Sequence, residues 1–260
     1  MSSLRAPIVA VLSGACALLA ACGARPTPSA VPASESQVGA GYLTPPAVSD
    51  IVLAGGQMLM SGTAAPLARV RLATPTGETS LATADAAGLW RLSAPAQPST
   101  ALYGLSQTAG DRTVQAEGYV MVTPSGAGFL LRAGAGAVRL GRPPQQGITA
   151  VDFDREGATV ISGRAPAGAS LSAWVDGRRA AEARADATGA FSLSLNAPLR
   201  PGGHDVKVFG DSVDSRIAFS AAQAQPLVSG PFRVEPTPGG VRVDWITPGG
   251  GVQSTVVAAS

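Results

Sequence analysis

Large apolar side chains alternate with small or polar ones along much of the chain. In "LWRLSA" from Leu89 the apolar positions are Trp90 and Leu92, and in "AFSLS" from Ala190 they are Phe191 and Leu193. A period of two places such residues on one face of a strand, so each stretch reads as a strand with one buried face. The same pattern predicts strands over 50–53, 58–62, 68–74, 79–83, 89–94, 102–107 and 113–117. Glycine and proline punctuate the intervals between them, which disfavours long helices and suits a β-sandwich.

Two stretches repeat. Laying "TADAAGLWRLSAP" from Thr83 over "RADATGAFSLSLNAP" from Arg184 puts Asp85 on Asp186, Gly88 on Gly189, Trp90 on Phe191 and Leu92 on Leu193, all 101 positions apart. The offset continues upstream through Leu59/Val160, Ser61/Ser162, Gly62/Gly163, Ala68/Ala169 and Val70/Leu171. One offset held over about thirty residues marks two copies of one module. A second pair, "GYVMVTPSGAGFLLRA" from Gly118 and "GPFRVEPTPGGVRVDW" from Gly230, is 112 apart. The duplicated unit therefore includes a trailing β-hairpin, and the shift from 101 to 112 places eleven extra residues between Leu193 and Gly230. A further turn, Thr247 to Gly251, precedes "VQSTVV".

The repeated Asp-x-x-Gly-x-aromatic has a physical logic. An Asp opening a tight turn accepts hydrogen bonds from backbone N–H groups two and three residues on, and a Gly closing it takes a positive φ at little steric cost. The aromatic two residues later returns into the core, which assigns Trp90 and Phe191 to packing. The expected fold class is all-β: two tandem immunoglobulin-like sandwiches, each with a trailing hairpin.

With 260 residues, 14% of them charged and 5% aromatic, each core is modest. The net charge of +2 comes from scattered arginines, which gives no basis for nucleic-acid binding. The expected organisation is a signal peptide over 1–21, a lipidated Cys and Pro/Ser/Ala tether over 22–47, module one over 48–142 and module two over 147–260. A Pro-stiffened link, "GRPPQQG", joins the modules.

The leader carries Arg5, an apolar run from Ile8 to Leu19 and then small residues, the layout of an export signal. It ends Leu19-Ala20-Ala21-Cys22, which resembles the lipobox of bacterial lipoproteins. The resemblance implies cleavage before Cys22, acylation of its sulfur and new amino terminus, and anchorage in membrane lipid. Gly23 in place of Asp implies, by the enteric sorting rule, the outer membrane. Cys16 leaves with the signal, so the mature chain has no disulfide.

In the second copy Gly163, Ala165, Gly168, Ala169, Asp186, Gly189, Phe191, Pro201, Gly202 and His204 follow the order seen in bacterial immunoglobulin-like domains. The chain resembles those of cell-envelope proteins, including the ones that accompany LysM modules. The first copy departs, with Leu67 where Gly168 stands and no Pro-Gly-x-His. Such domains share a shape and not an activity.

Catalytic chemistry has few candidates. His204 is the single histidine and sits in a turn; Lys207 is the single lysine and lies in an alternating strand. With no thiol in the mature chain, neither a nucleophile with its base nor a His/Cys metal site is expected. The implied reading is a non-enzyme with no cofactor. Asp152 with Asp154, and Asp211 with Asp214, read as solvated or turn-forming carboxylates, with Ca²⁺ between the modules as the other use.

Parity places Leu171, Ala173 and Val175 on one face and Trp174 on the other, so Trp174 reads either as a partner-binding anchor or as covered by the neighbouring hairpin. Trp245, in phase with Val241 and Val243, reads as core. The expected function is that of a structural or adaptor lipoprotein of the cell envelope, presenting sandwich surfaces and edges to an envelope protein. The alternative is a module binding peptidoglycan or another polysaccharide through Trp174.

Overall fold

Both Asp turns form as their residues demand. The Asp85 carboxylate accepts from the N–H groups of Ala87 and Leu89, and Asp186 accepts from those of Thr188 and Ala190, so the bonds run two and four residues on. Gly88 and Gly189 close the turns at φ of 78° and 81°. Trp90 and Phe191 then enter their cores. The Gly of the repeated Ser-Gly pair is required by that packing: a Cβ on Gly62 would strike the Ala47 carbonyl and the Trp90 ring, and one on Gly163 the Gly147 carbonyl and the Phe191 ring.

This computed structural model describes residues 42–141 and 146–258. Cys22, the expected signal peptide and most of the expected tether lie outside the described residues, as do 142–145 of the link. Among the described residues every regular element is a strand. Module one comprises β1 (Ala47–Ala54), β2 (Gln57–Thr63), β3 (Arg69–Ala73), β4 (Thr79–Thr83), β5 (Leu89–Pro95), β6 (Ala101–Ala109), β7 (Arg112–Val122), β8 (Gly128–Leu131) and β9 (Val138–Arg139). Module two comprises β10 (Gly147–Asp154), β11 (Thr159–Arg164), β12 (Ser170–Val175), β13 (Arg178–Arg184), β14 (Ala190–Ser194), β15 (Gly203–Gly210), β16 (Val213–Ser220), β17 (Phe232–Thr237), β18 (Gly240–Ile246) and β19 (Val252–Ala258). β1 begins three residues before the expected strand, and just ahead of it the Thr44 carbonyl is held by the Gln107 side chain.

Each module is a sandwich of two antiparallel sheets. Module one pairs β1-β2-β5 against β4-β3-β6-β7-β8-β9, and module two pairs β14-β11-β10-β19-β18-β17 against β13-β12-β15-β16. Met58, Met60, Val70, Leu72, Trp90 and Leu105 form one core; Val151, Ile161, Leu171, Phe191, Leu193 and Val208 form the other.

The trailing hairpins differ in the sheet they join. In module one β7 runs on into the hairpin and β8 pairs with it, Tyr119 opposite Leu131. In module two the eleven residues between Ser220 and Phe232 form no strand and carry the chain across the sandwich, so β17-β18-β19 extends the opposite sheet through β19 and β10. The hairpin registers differ as well: Val122 faces Gly128, whereas Val234 faces Val243.

This re-routing creates a third core. The two extensions pack against each other, with Leu102, Met121, Phe129, Leu131 and Ala137 of module one meeting Ala150, Val243, Trp245 and Val257 of module two. Trp245 is fully buried there, with Tyr119 edge-on at 5.8 Å and 87°. All three cores draw on residues between Val48 and Ala258, so this stretch holds the burial that drives its own folding.

At the departure from the repeat, Leu67 adopts φ of 59° where Gly168 has 74°. A left-handed conformation costs a side-chain-bearing residue about 1–2 kcal/mol. The two copies thus share the turn's backbone conformation, with leucine in one and glycine in the other.

Candidate functional site

The titratable residues singled out in the sequence are engaged in local structure. His204, at the start of β15, has Nδ1 2.7 Å from the Asp176 carboxylate and Nε2 2.7 Å from the Arg200 carbonyl. Asp176 also accepts from the Asp205 N–H at 2.9 Å, so the pair ties the β12–β13 turn to β15. Burial of the imidazole opposes protonation, but the Arg200 carbonyl and Asp176 outweigh it and raise its pKa. The Asp205 N–H bond, and then His204, lower that of Asp176. Lys207 lies 3.2 Å from Asp214, while Asp211 accepts from the Ser170 N–H. Asp211 and Asp214 thus serve different partners, and Asp214 lies on β16.

Asp154 forms a turn, accepting from the Ala158 N–H at 2.9 Å. Asp152, two residues earlier, corrects the expectation of a solvated carboxylate: it is 3% exposed. Its Oδ2 accepts from the Ala137 N–H at 2.6 Å, and its Oδ1 from Thr255 Oγ1 at 2.6 Å and Gln253 Nε2 at 3.1 Å. Trp245 Nε1 donates to Thr255 Oγ1, and Gln253 also receives the Gly134 N–H. The physical reason is the third core: β19 covers one side of β10 and the 132–137 segment of module one covers its face. Burial pushes the Asp152 carboxyl up to about 6, against the bonds from Thr255, Ala137 and Gln253 and the charge of Arg132. Among the described residues no three of His, Cys, Asp or Glu gather as a metal-ligand set.

Trp174 stands on the outer face of β12, as parity requires, and is half-buried. Its cover comes from β15: the Phe209 ring lies 5.9 Å away at 40°, and Phe209 is 37% exposed. Lys207 Nζ sits 5.6 Å over that ring. Around this aromatic pair run the ion pairs Lys207–Asp214, Arg216–Asp205 and Arg179–Glu182. The structure gives Trp174 a partner, Phe209, that the sequence reading had not joined to it.

Besides Val228, exposed between β16 and β17, further exposed apolar side chains lie on module one. Val52 and Leu59 are 48% and 45% exposed, and Leu67, Leu81 and Leu89 are exposed too. Strand parity alone could have flagged Val52 and Leu59, since each is out of phase with the buried Ile51, Met58 and Met60.

No family model and no curated protein matches the chain. Among solved structures it is similar to a biofilm-associated protein BSP domain (14% identity, 70% of this chain and 30% of that one, TM-score 0.24). It is also similar to the central fibronectin-III array of RIM-binding protein (12%, 83% and 89%, TM-score 0.30). A third is a structure concerned with host cell surface retention of a 1.5-MDa bacterial ice-binding adhesin (12%, 84% and 88%, TM-score 0.23). The chain thus spans under a third of the biofilm-associated structure. At these values the likenesses bear on neither partner nor ligand.

Proposed function

We propose that this chain is a non-enzymatic lipoprotein of the bacterial cell envelope, held in the outer membrane by an acylated Cys22, whose two joined sandwiches present surfaces to an envelope protein partner. The observation that carries this reading is the third core. Two modules sharing buried residues hold their outer faces in fixed relation, as a scaffold or adaptor requires. The engagement of His204, Asp152 and Lys207 in structural bonds supports a role without catalysis. The anchor rests on Leu19-Ala20-Ala21-Cys22, and several acyl chains at about 0.8 kcal/mol per buried methylene make such attachment stable.

Cys22→Ala is expected to move the protein from the membrane fraction to the soluble one; retention in the membrane fraction would refute the anchor. Cross-linking in the intact envelope, followed by identification of the captured protein, tests the adaptor role. An untargeted pattern in which no protein is captured above background would count against it.

A second reading, polysaccharide binding, is favoured by the Trp174–Phe209 pair, because aromatic rings flanked by polar groups suit sugar rings. In that case wild type is retained on purified cell wall and Trp174→Ala is not. Equal behaviour of the two proteins would discard this reading.

A further inference from the structure

The two modules share the walls of a cavity of about 300 Å³. Four arginines line it: Arg132 and Arg139 of module one, Arg164 and Arg184 of module two. They arrive from four elements. Arg132 follows β8, Arg139 lies on β9, Arg164 ends β11 and Arg184 ends β13. Scattered in the sequence, these cations are gathered by the fold, and a single carboxylate, Asp186, lines the cavity with them. Asp186 is committed to its own turn, where it accepts from the N–H groups of Thr188 and Ala190.

Among the described residues Arg132, Arg164 and Arg184 form no ion pair. Arg132 donates through Nε and one Nη to the carbonyls of Gly136 and Ala135, and Arg184 donates through one Nη to that of Gly168. A guanidinium carries five N–H donors, so these bonds steady the side chains and leave donors to spare. Burial lowers the pKa of Arg139, and an anion beside it favours the charged form.

The repeat shows that the sandwich does not need these charges. At the offset of 101, Arg164 and Arg184 fall on Thr63 and Thr83, which end the matching strands β2 and β4 without charge. The cations stand in the copy whose strand ends meet Arg132 and Arg139 of the other module. A cleft lined by one sign of charge concentrates ions of the other.

Chemistry narrows the anion. A carboxylate offers two coplanar oxygens, enough for one guanidinium fork. A phosphate group carries about two charges and three acceptor oxygens that point apart, which suits guanidiniums approaching from several elements. The volume is at the lower end of ligand pockets, about 300–1,000 Å³, so the bound group is small. We propose that this cavity binds a phosphate group, free or as a monoester, between arginines of both modules. The ligand then ties the modules together at a second place besides the third core. This inference needs neither the lipid anchor nor the polysaccharide reading.

Titration calorimetry on residues 42–260 at low ionic strength tests it, with inorganic phosphate, glucose 1-phosphate and, for carboxylates, succinate as probes. At least one phosphate probe is expected to bind, at least about tenfold tighter than succinate. Arg164→Thr, Arg184→Thr and Arg139→Gln are each expected to weaken that binding by at least about tenfold. The two threonine variants keep the fold, as Thr63 and Thr83 do in module one, so their loss reports on the site. Arg155→Gln, outside the cavity, is expected to bind as wild type does.

Flotation with phosphatidylcholine vesicles containing phosphatidic acid tells the sources apart. Co-flotation together with soluble binding assigns the group to a lipid headgroup; soluble binding alone assigns it to a soluble phosphate. Binding of neither soluble phosphate probe overturns the proposal, whatever the vesicles do. So does succinate binding as tightly as phosphate, or phosphate binding that Arg164→Thr and Arg184→Thr leave unchanged.

Discussion

Trp245→Ala is expected to lower the stability of the joined modules by about 3–5 kcal/mol, the range for removing a large buried aromatic. Trp245 is fully buried between the modules, stacks edge-on to Tyr119 of module one and donates through Nε1 to Thr255. Thr255 in turn donates to Asp152 at 2.6 Å. The substitution therefore leaves a cavity in the third core and removes a donor from the hydrogen-bond chain that holds the 132–137 segment. The loss concentrates at the joint, so each sandwich keeps its own core and its strand signal by circular dichroism. Denaturant unfolding of wild type and variant checks this: an unchanged midpoint would show that the joint contributes little to stability.

The second large effect is on pH. The folded-state pKa of Asp152 is raised from an ordinary carboxylate value to about 6, mainly by burial. A carboxyl raised on folding is bound more tightly to its proton in the native state. Its contribution is thus fully present below its unfolded pKa and is lost as pH rises through the folded one. Stability is expected to fall by about 2 kcal/mol between about pH 4.5 and about pH 8, and Asp152→Asn, which cannot ionise, is expected to flatten that slope.

Two other groups also titrate, His204 overlapping the upper part of this window and Asp176 lying below it. His204, with a raised pKa, adds a loss of the same sign above its ordinary value, so it steepens only the neutral and alkaline side. Asp176 is lowered, so its contribution is present at neutral pH and fades in strong acid. Denaturation curves at several pH values check the assignment. A wild-type slope that Asp152→Asn leaves unchanged would remove Asp152 as its source.

Local chemistry made the modules legible. Asp85 and Asp186 need only their own turns, and Trp90 and Phe191 need only an alternating strand, so the repeat disclosed both sandwiches and their strands. Trp245 was recognisable as core from its phase with Val243. The core it enters was not recognisable, because the partners Tyr119, Met121 and Phe129 lie over a hundred residues away. The "VQST" of β19 and the Asp152 of β10 look like solvent-facing polar positions. Their burial comes from being covered on both faces, β19 by module one and by β10's own sandwich, which no periodicity within the strand encodes. The eleven-residue insertion was countable from the offsets. That it moves the second hairpin to the other sheet follows only from tertiary packing.

The account depends on the two sandwiches behaving as one body through their shared residues. Calorimetry of residues 42–260 tests this most directly. A single transition is expected, with equal calorimetric and van't Hoff enthalpies, which Trp245→Ala splits into two. Two separate transitions in wild type, unaltered by that substitution, would contradict it.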